Sequence, residues 1–164
     1  MTEFEREEIE VLREQWDRIV HYHQECFGMK LFQRLLQLHP EYRPLFGFEE
    51  TVEEIQNTQR LKAHGINVVY MLNMLFDNFD DMDMIDELIF KLVKLHMMRG
   101  IDQIWLDDII EPFELVLEEF NAKIQIERIE VLRKAFIFIK NRMQELYDEN
   151  VVAKMLDTSD ISEY

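Results

Sequence analysis

The sequence predicts an all-α protein, and three observations support this. Glycine and proline, which end helices and form hairpin turns, number only four and three among 164 residues. Long segments are rich in Glu, Leu, Met, Lys and Gln, which have high helix propensity. Apolar residues recur at spacings of three and four, which places them on one face of a helix. With 48% hydrophobic residues, the chain has enough apolar surface for the core of one domain.

The apolar spacing predicts six or seven helices. A polar stretch should separate the first two, and Pro40 should end the second before an aromatic corner at 41–48. Thr51 is a candidate N-cap for the long third helix, and the acidic segment 77–83 should form the next turn. Pro112 should kink its helix or mark an irregular turn. The helices are expected at about 2–22, 25–38, 51–79, 84–98, 102–120 and 123–148.

The charge of the chain argues against two classes of partner. The formal net charge is -16, whereas nucleic-acid binding needs Lys and Arg gathered on one face. Anionic membrane surfaces attract the same basic residues, and no segment approaches the length of a membrane-spanning helix. Cys26 is the single cysteine, so an intramolecular disulfide is excluded. Because the N-terminus also lacks the pattern of a signal peptide, the sequence predicts a cytoplasmic protein.

We expect one domain over residues 1–156 and a polar tail over residues 157–164. The chain shows no internal repeat and no low-complexity linker that would mark a second domain. Its oligomeric state is left open, and a dimer is compatible with the sequence.

Two glycines lie inside predicted helices. Gly28 and Gly65 each cost about 1 kcal/mol relative to alanine at such a position. Such a cost usually reflects a packing need, and the common one is a close crossing of two helices. We therefore expect the two helices that carry these glycines to cross closely.

Two histidines lie on apolar helical faces. His64 has apolar residues at i+4, i+8 and i+11, and His96 has them at i−4, i−8 and i−11. These residues are Val68, Leu72 and Leu75, and Leu92, Leu88 and Ile85. A single histidine in such a place is more often a core residue bonded to the backbone, but two on consecutive helices can face each other across an apolar slot. The chain lacks the spacings H-E-x-x-H, C-x-x-C and E-x-x-H, so a zinc or di-iron site is not supported. A flat apolar cofactor with axial nitrogen ligands, a haem, fits better.

Several segments resemble the globin family, and together they cover nearly the whole chain. They are Trp16 in the first helix, HPEYRPLF (His39–Phe46), LKAHG (Leu61–Gly65) and LVKLHMMRGI (Leu92–Ile101). The resemblance implies a globin fold of six to eight helices that sandwich one haem b (iron protoporphyrin IX). It makes His96 the proximal ligand and His64 the distal residue, and it places Gly28 and Gly65 where globin helices cross. Length, acidity and methionine content are similar to those of intracellular invertebrate globins of the nematode type.

The resemblance also implies which residues contact the haem. The distal side comprises Phe32, Phe46, His64, Asn67 and Val68, and the proximal side comprises Leu92, His96, Ile101, Leu106 and Ile109. The combination of Phe32, His64 and Val68 is similar to neuroglobin-type pockets, in which the distal histidine binds the iron. Leu95 stands where myoglobin-like chains often have a hydroxyl residue. We therefore expect the carbonyl of Leu92 to orient His96.

The resemblance leaves two haem-based functions open. If His64 occupies the sixth iron position, electron transfer or redox or gas sensing follows. If the position is open, His64 can stabilise bound oxygen for storage or transport. The implied partners are oxygen, carbon monoxide, nitric oxide or a redox protein. Peroxidase chemistry needs a polar acid–base set on the distal side, where only His64 is available, so we do not expect an enzyme. A haem-free interaction module is a third alternative, disfavoured by the presence of both His96 and Phe46.

Overall fold

The computed structural model describes residues 4–47 and 58–149, without the side chains of 23–26 and 124. Within these ranges the chain is helical and contains no strand, so the predicted all-α class is confirmed. None of the helices described is both long and apolar enough to span a membrane. The polar tail expected at 157–164 lies outside the described residues. The helices are α1 (Arg6–Leu38), a 3₁₀ helix (Pro40–Phe46), α2 (Gln59–Asp77), α3 (Met82–Met98), α4 (Trp105–Asp108), α5 (Ile110–Ile124) and α6 (Ile129–Asp148).

The first two predicted helices form one continuous helix, so the predicted break near residues 22–25 is wrong. The polar stretch there contains neither glycine nor proline, and nothing in it stops helix propagation. The buried residues Ile19 and Phe27 lie on either side of it, eight residues apart and on the same helical face. The polar stretch therefore lies within α1 and does not interrupt its helical backbone.

Side-chain caps start two of the helices. The Thr58 hydroxyl oxygen accepts a hydrogen bond from the backbone N–H of Leu61 at 3.3 Å, at the start of α2. Thr51, the cap expected from the sequence, lies outside the described residues. The Asp81 carboxylate accepts the backbone N–H of Met84 at 3.1 Å, at the start of α3. The acidic turn predicted between these helices is therefore present.

The helix predicted at 102–120 is interrupted. The single turn α4 ends before Ile109, and α5 begins at Ile110. Pro112 is the third residue of α5, where a backbone N–H would have no acceptor within the helix, so the proline costs little there. The irregular turn predicted for this proline is thus found, whereas a continuous helix is not. Gln125, at a left-handed φ of 50°, ends α5, and α6 begins only at Ile129.

Gly28 of α1 and Gly65 of α2 meet where the two helices cross. A Cβ atom added to Gly28 would lie 2.5 Å from the carbonyl carbon of Gly65, and one added to Gly65 would lie 2.6 Å from the carbonyl carbon of Gly28. Both distances are far below van der Waals contact, so neither position accepts a side chain while the backbones stay in place. The predicted close crossing is confirmed.

An aromatic cluster packs beside this crossing. Trp16 makes edge-to-face contacts with Phe27 and Phe76, both at 5.1 Å between ring centroids. Its indole N–H donates to the side-chain oxygen of Asn73 on α2. The cluster fixes α1 against α2.

We predict that Gly28→Ala and Gly65→Ala each destabilise the protein by about 1–3 kcal/mol, because the added methyl group forces the helix backbones apart. Helix propensity alone predicts the opposite sign, a gain of about 1 kcal/mol. Urea unfolding measures the change in the free energy of unfolding. Ala63→Gly, at an exposed position of α2, is the matched control and should lose about 1 kcal/mol. A gain in stability in either alanine variant would contradict the close crossing.

Candidate haem site

A cavity of about 570 Å³ lies between α2 and α3. It is within the range of about 300–1,000 Å³ that is usual for cofactor sites. All ten residues predicted for the haem site line this cavity: Phe32, Phe46, His64, Asn67, Val68, Leu92, His96, Ile101, Leu106 and Ile109. The structure therefore brings both histidines to one site, while their role toward a cofactor stays a prediction.

The cavity has further lining residues that sequence reasoning missed. From α6 come Phe136, Ile139 and Met143, whose spacing of three and four would have identified them. Trp105 of α4 had no comparable signal, because its position depends on the turn after α3. The remaining lining residues are Leu31, Leu35, Tyr42, Leu45, Arg60, Met71, Leu72, Leu75, Leu95, Arg99 and Lys140.

His96 is oriented by the backbone of its own helix. Its Nδ1 lies 2.8 Å from the carbonyl oxygen of Leu92, as expected from the sequence. Because a carbonyl oxygen can only accept, Nδ1 carries the hydrogen, and Nε2 of the neutral ring keeps a free lone pair. Nε2 is therefore the nitrogen that can bind a metal.

The other contact of His96 is aromatic. The indole of Trp105 stacks on its imidazole, with 4.9 Å between ring centroids and 17° between ring planes.

His64 is held by aromatic rings on the opposite wall. Its imidazole packs edge-on against Phe32 at 4.4 Å and against Phe46 at 5.1 Å between centroids. Among the described residues it makes no hydrogen bond, so packing fixes its position and leaves both ring nitrogens available.

Burial keeps both imidazoles neutral. It lowers the pKa of His64 to about 4, and the nearby charges of His96 and Arg99 act in the same direction. It also lowers the pKa of His96, although the hydrogen bond to Leu92 acts against this. A metal ligand must be unprotonated, so both rings are in the required state at neutral pH.

Three cationic side chains line the cavity of this acidic protein. Arg60 donates to the carbonyl of Gly47 at 2.6 Å, and Lys140 pairs with Asp107 at 2.7 Å. Arg99 is the C-cap residue of α3, where its backbone N–H donates to the carbonyl of His96 at 3.1 Å. No carboxylate side chain is among the described lining residues. Apolar walls, two neutral imidazoles and cations fit an apolar iron cofactor that carries carboxylates, which is a description of haem.

We predict that the cofactor-free protein loses stability in acid, and that protonation of His64 accounts for part of this loss. Between pH 6.5 and about 4 the unfolded chain protonates this residue and the folded chain does not. The free energy of unfolding therefore falls as the pH falls through this window, by at most about 1.4 kcal/mol per pH unit for one such group. Urea unfolding between pH 7 and 5 should show a smaller fall in His64→Leu than in the unsubstituted protein. Equal pH dependences would show that His64 is not desolvated.

Comparison with known proteins agrees with this geometry. The model of the globin family matches residues 29–143, a range that includes all ten predicted site residues. The chain is also 29% identical over 90 residues to a protein described as "Globin, minor" from Anadara trapezia. The aligned part is 55% of this chain and 59% of that protein, so the chain spans about three-fifths of the length of this relative.

The family match covers well over half of the chain and spans both the crossing partner Gly65 and the cavity between α2 and α3. The chain therefore belongs to the globin family, and this membership implies that it binds haem.

Proposed function

We propose that this globin holds haem b with His96 and His64 as the two axial ligands of the iron, and that it acts in electron transfer or in redox or gas sensing. The observation that carries the proposal is the presence of two neutral imidazoles on the facing helices α2 and α3, lining one cavity. Haem supplies an iron that changes its oxidation state and binds diatomic gases.

The contacts of each histidine support a ligand role. The hydrogen bond from Nδ1 of His96 to Leu92 leaves Nε2 to the metal, which is the arrangement usual for a ligating histidine. Neither ring nitrogen of His64 makes a hydrogen bond to the described residues. Phe32 and Phe46 contact its ring and exclude water from that side of the cavity. A desolvated imidazole with no other partner gains most from binding the iron.

Double histidine ligation has consequences for function. An external gas then competes with His64, and its apparent affinity falls with the fraction of open sites. Electron transfer is favoured because the number of ligands need not change with oxidation state. We therefore propose diatomic gases or a redox protein as partners, a cytoplasmic location and a non-enzymatic role.

Reversible oxygen binding is the second candidate function. The observation that favours it is the same neutral state of His64, because a neutral imidazole always carries one N–H and can donate a hydrogen bond to a gas in the cavity. Phe32 and Phe46 hold the ring by packing alone, so no hydrogen bond to the described residues has to break when it takes either role.

We predict that the haem-loaded protein shows low-spin absorption bands in the ferric and the dithionite-reduced state. In His64→Leu these bands should give way to high-spin bands, because leucine cannot bind iron. Carbon monoxide should bind the variant at least tenfold faster, since no internal ligand has to leave. Absorption spectra and stopped-flow mixing measure both effects.

His21→Leu is the matched control for this experiment. His21 also contacts a backbone carbonyl four residues earlier, that of Asp17 at 2.8 Å, but it is exposed and outside the cavity. Its substitution should leave the spectra unchanged. If the unsubstituted protein instead shows a high-spin reduced spectrum and takes up oxygen readily, the proposal of double histidine ligation is wrong and reversible oxygen binding takes its place.

A further inference from the structure

The indole of Trp105 stacks flat on the imidazole of His96 at the wall of the cavity. The two rings are nearly parallel, at 17°, and their centroids lie 4.9 Å apart. By contrast, the aromatic contacts of His64 are edge-on, at 66° and 78°. Of the two histidines that line the cavity, only His96 therefore has an aromatic ring stacked parallel to its imidazole among the described residues.

A second restraint on His96 is needed on geometric grounds. Its one hydrogen bond, to the carbonyl of Leu92, restrains the distance from Nδ1 to that oxygen. The side chain has two rotatable bonds, so one combined pivot of the ring stays unrestrained. The preceding residue, Leu95, offers no hydroxyl group as a further partner. A flat group stacked on the imidazole blocks this pivot, because turning the ring would drive its edge into the indole.

The turn that carries Trp105 is itself held firmly. Gly100, at a positive φ of 71°, reverses the chain after α3 and lets it return over His96. Two consecutive carboxylates of α4 are then anchored to other parts of the fold. Asp107 pairs with Lys140 of α6 at 2.7 Å, and Asp108 accepts the hydroxyl of Tyr42 from the 3₁₀ helix.

We infer that Trp105 is a positioning residue for the proximal ligand: it holds the imidazole of His96 in the plane required for iron binding and lays an electron-rich ring against it. The inference rests on the proposed role of His96 as an iron ligand. The negative face of the indole stabilises positive charge on the imidazole and thus favours the ferric state. Loss of the indole should speed haem dissociation and raise the reduction potential.

The test compares haem-loaded Trp105→Leu and Trp105→Phe with the unsubstituted protein. Leucine removes the flat ring, whereas phenylalanine keeps a smaller one. Transfer of ferric haem to an excess of an acceptor apoprotein measures the dissociation rate, and a spectroelectrochemical titration measures the potential. We expect Trp105→Leu to release haem about tenfold faster or more, the scale usual when a residue supporting a metal ligand is lost. Its potential should move in the positive direction, and Trp105→Phe should restore most of both properties.

Phe120→Leu is the matched control for the loss of a buried aromatic ring. Phe120 packs edge-on against Phe27, at 5.3 Å between centroids, and does not line the cavity. Its substitution should leave the potential unchanged, even if packing is weakened.

The outcomes separate this inference from the function on which it rests. If Trp105→Leu matches the unsubstituted protein in dissociation rate and potential, or if Trp105→Phe loses as much as Trp105→Leu, the positioning role is overturned. Should Trp105→Leu fail to fold, Trp105→Met, which keeps an unbranched apolar side chain without a flat ring, takes its place. If instead His96→Gly binds haem as tightly as the unsubstituted protein, the proposed function itself fails.

Discussion

The close crossing of α1 and α2 sets the position of the distal wall of the cavity. Gly28 and Gly65 let the two backbones touch, and the distal wall is built from residues beside them. Phe32 lies one turn after Gly28, and His64 directly precedes Gly65. Backbone contact at the glycines brings these two side chains to 4.4 Å between ring centroids. Even a methyl group at the crossing would push the helices apart and separate the histidine from the ring that packs it.

The environment, not the local hydrogen bond, distinguishes the histidines. His21 and His96 both have Nδ1 2.8 Å from the carbonyl oxygen four residues earlier on the same helix. His21 is exposed, whereas His96 lies in the cavity, where burial lowers its pKa and leaves Nε2 unprotonated. The same type of side chain with the same hydrogen bond is therefore a surface residue at position 21 and a candidate metal ligand at position 96. In the cavity, desolvation disfavours the proton that would compete with a metal at Nε2 of His96.

The sequence predicts most of the fold because apolar residues recur with helical spacing in each long helix. The buried stripe of α1, the turn capped by Asp81 and the crossing of the glycines all follow from local spacing or from the cost of a residue type. Two of the errors in the predicted helix boundaries have local causes. A polar stretch does not break α1, because helix propagation tolerates polar residues. The helix restarts at Ile110, shortly before Pro112, because a proline suits the first turn of a helix better than its middle.

The site was predicted to the extent that one helical face or one family motif defines it. The ten predicted residues lie together in the cavity, but Trp105 and the cations Arg60, Arg99 and Lys140 were missed. Their positions depend on chain reversals and on contacts between distant elements, such as the pair that joins Asp107 to Lys140. Periodicity carries no information about such contacts, since it describes one element at a time.

A crystal structure of the ferric, haem-loaded protein is the most direct test of double histidine ligation. We predict haem in the cavity between α2 and α3, with Nε2 of His96 bound to the iron and a nitrogen of His64 bound on the other face. Iron bound by His96 alone, with His64 turned away, would contradict double histidine ligation. Haem outside this cavity would contradict the assignment of the site as a whole.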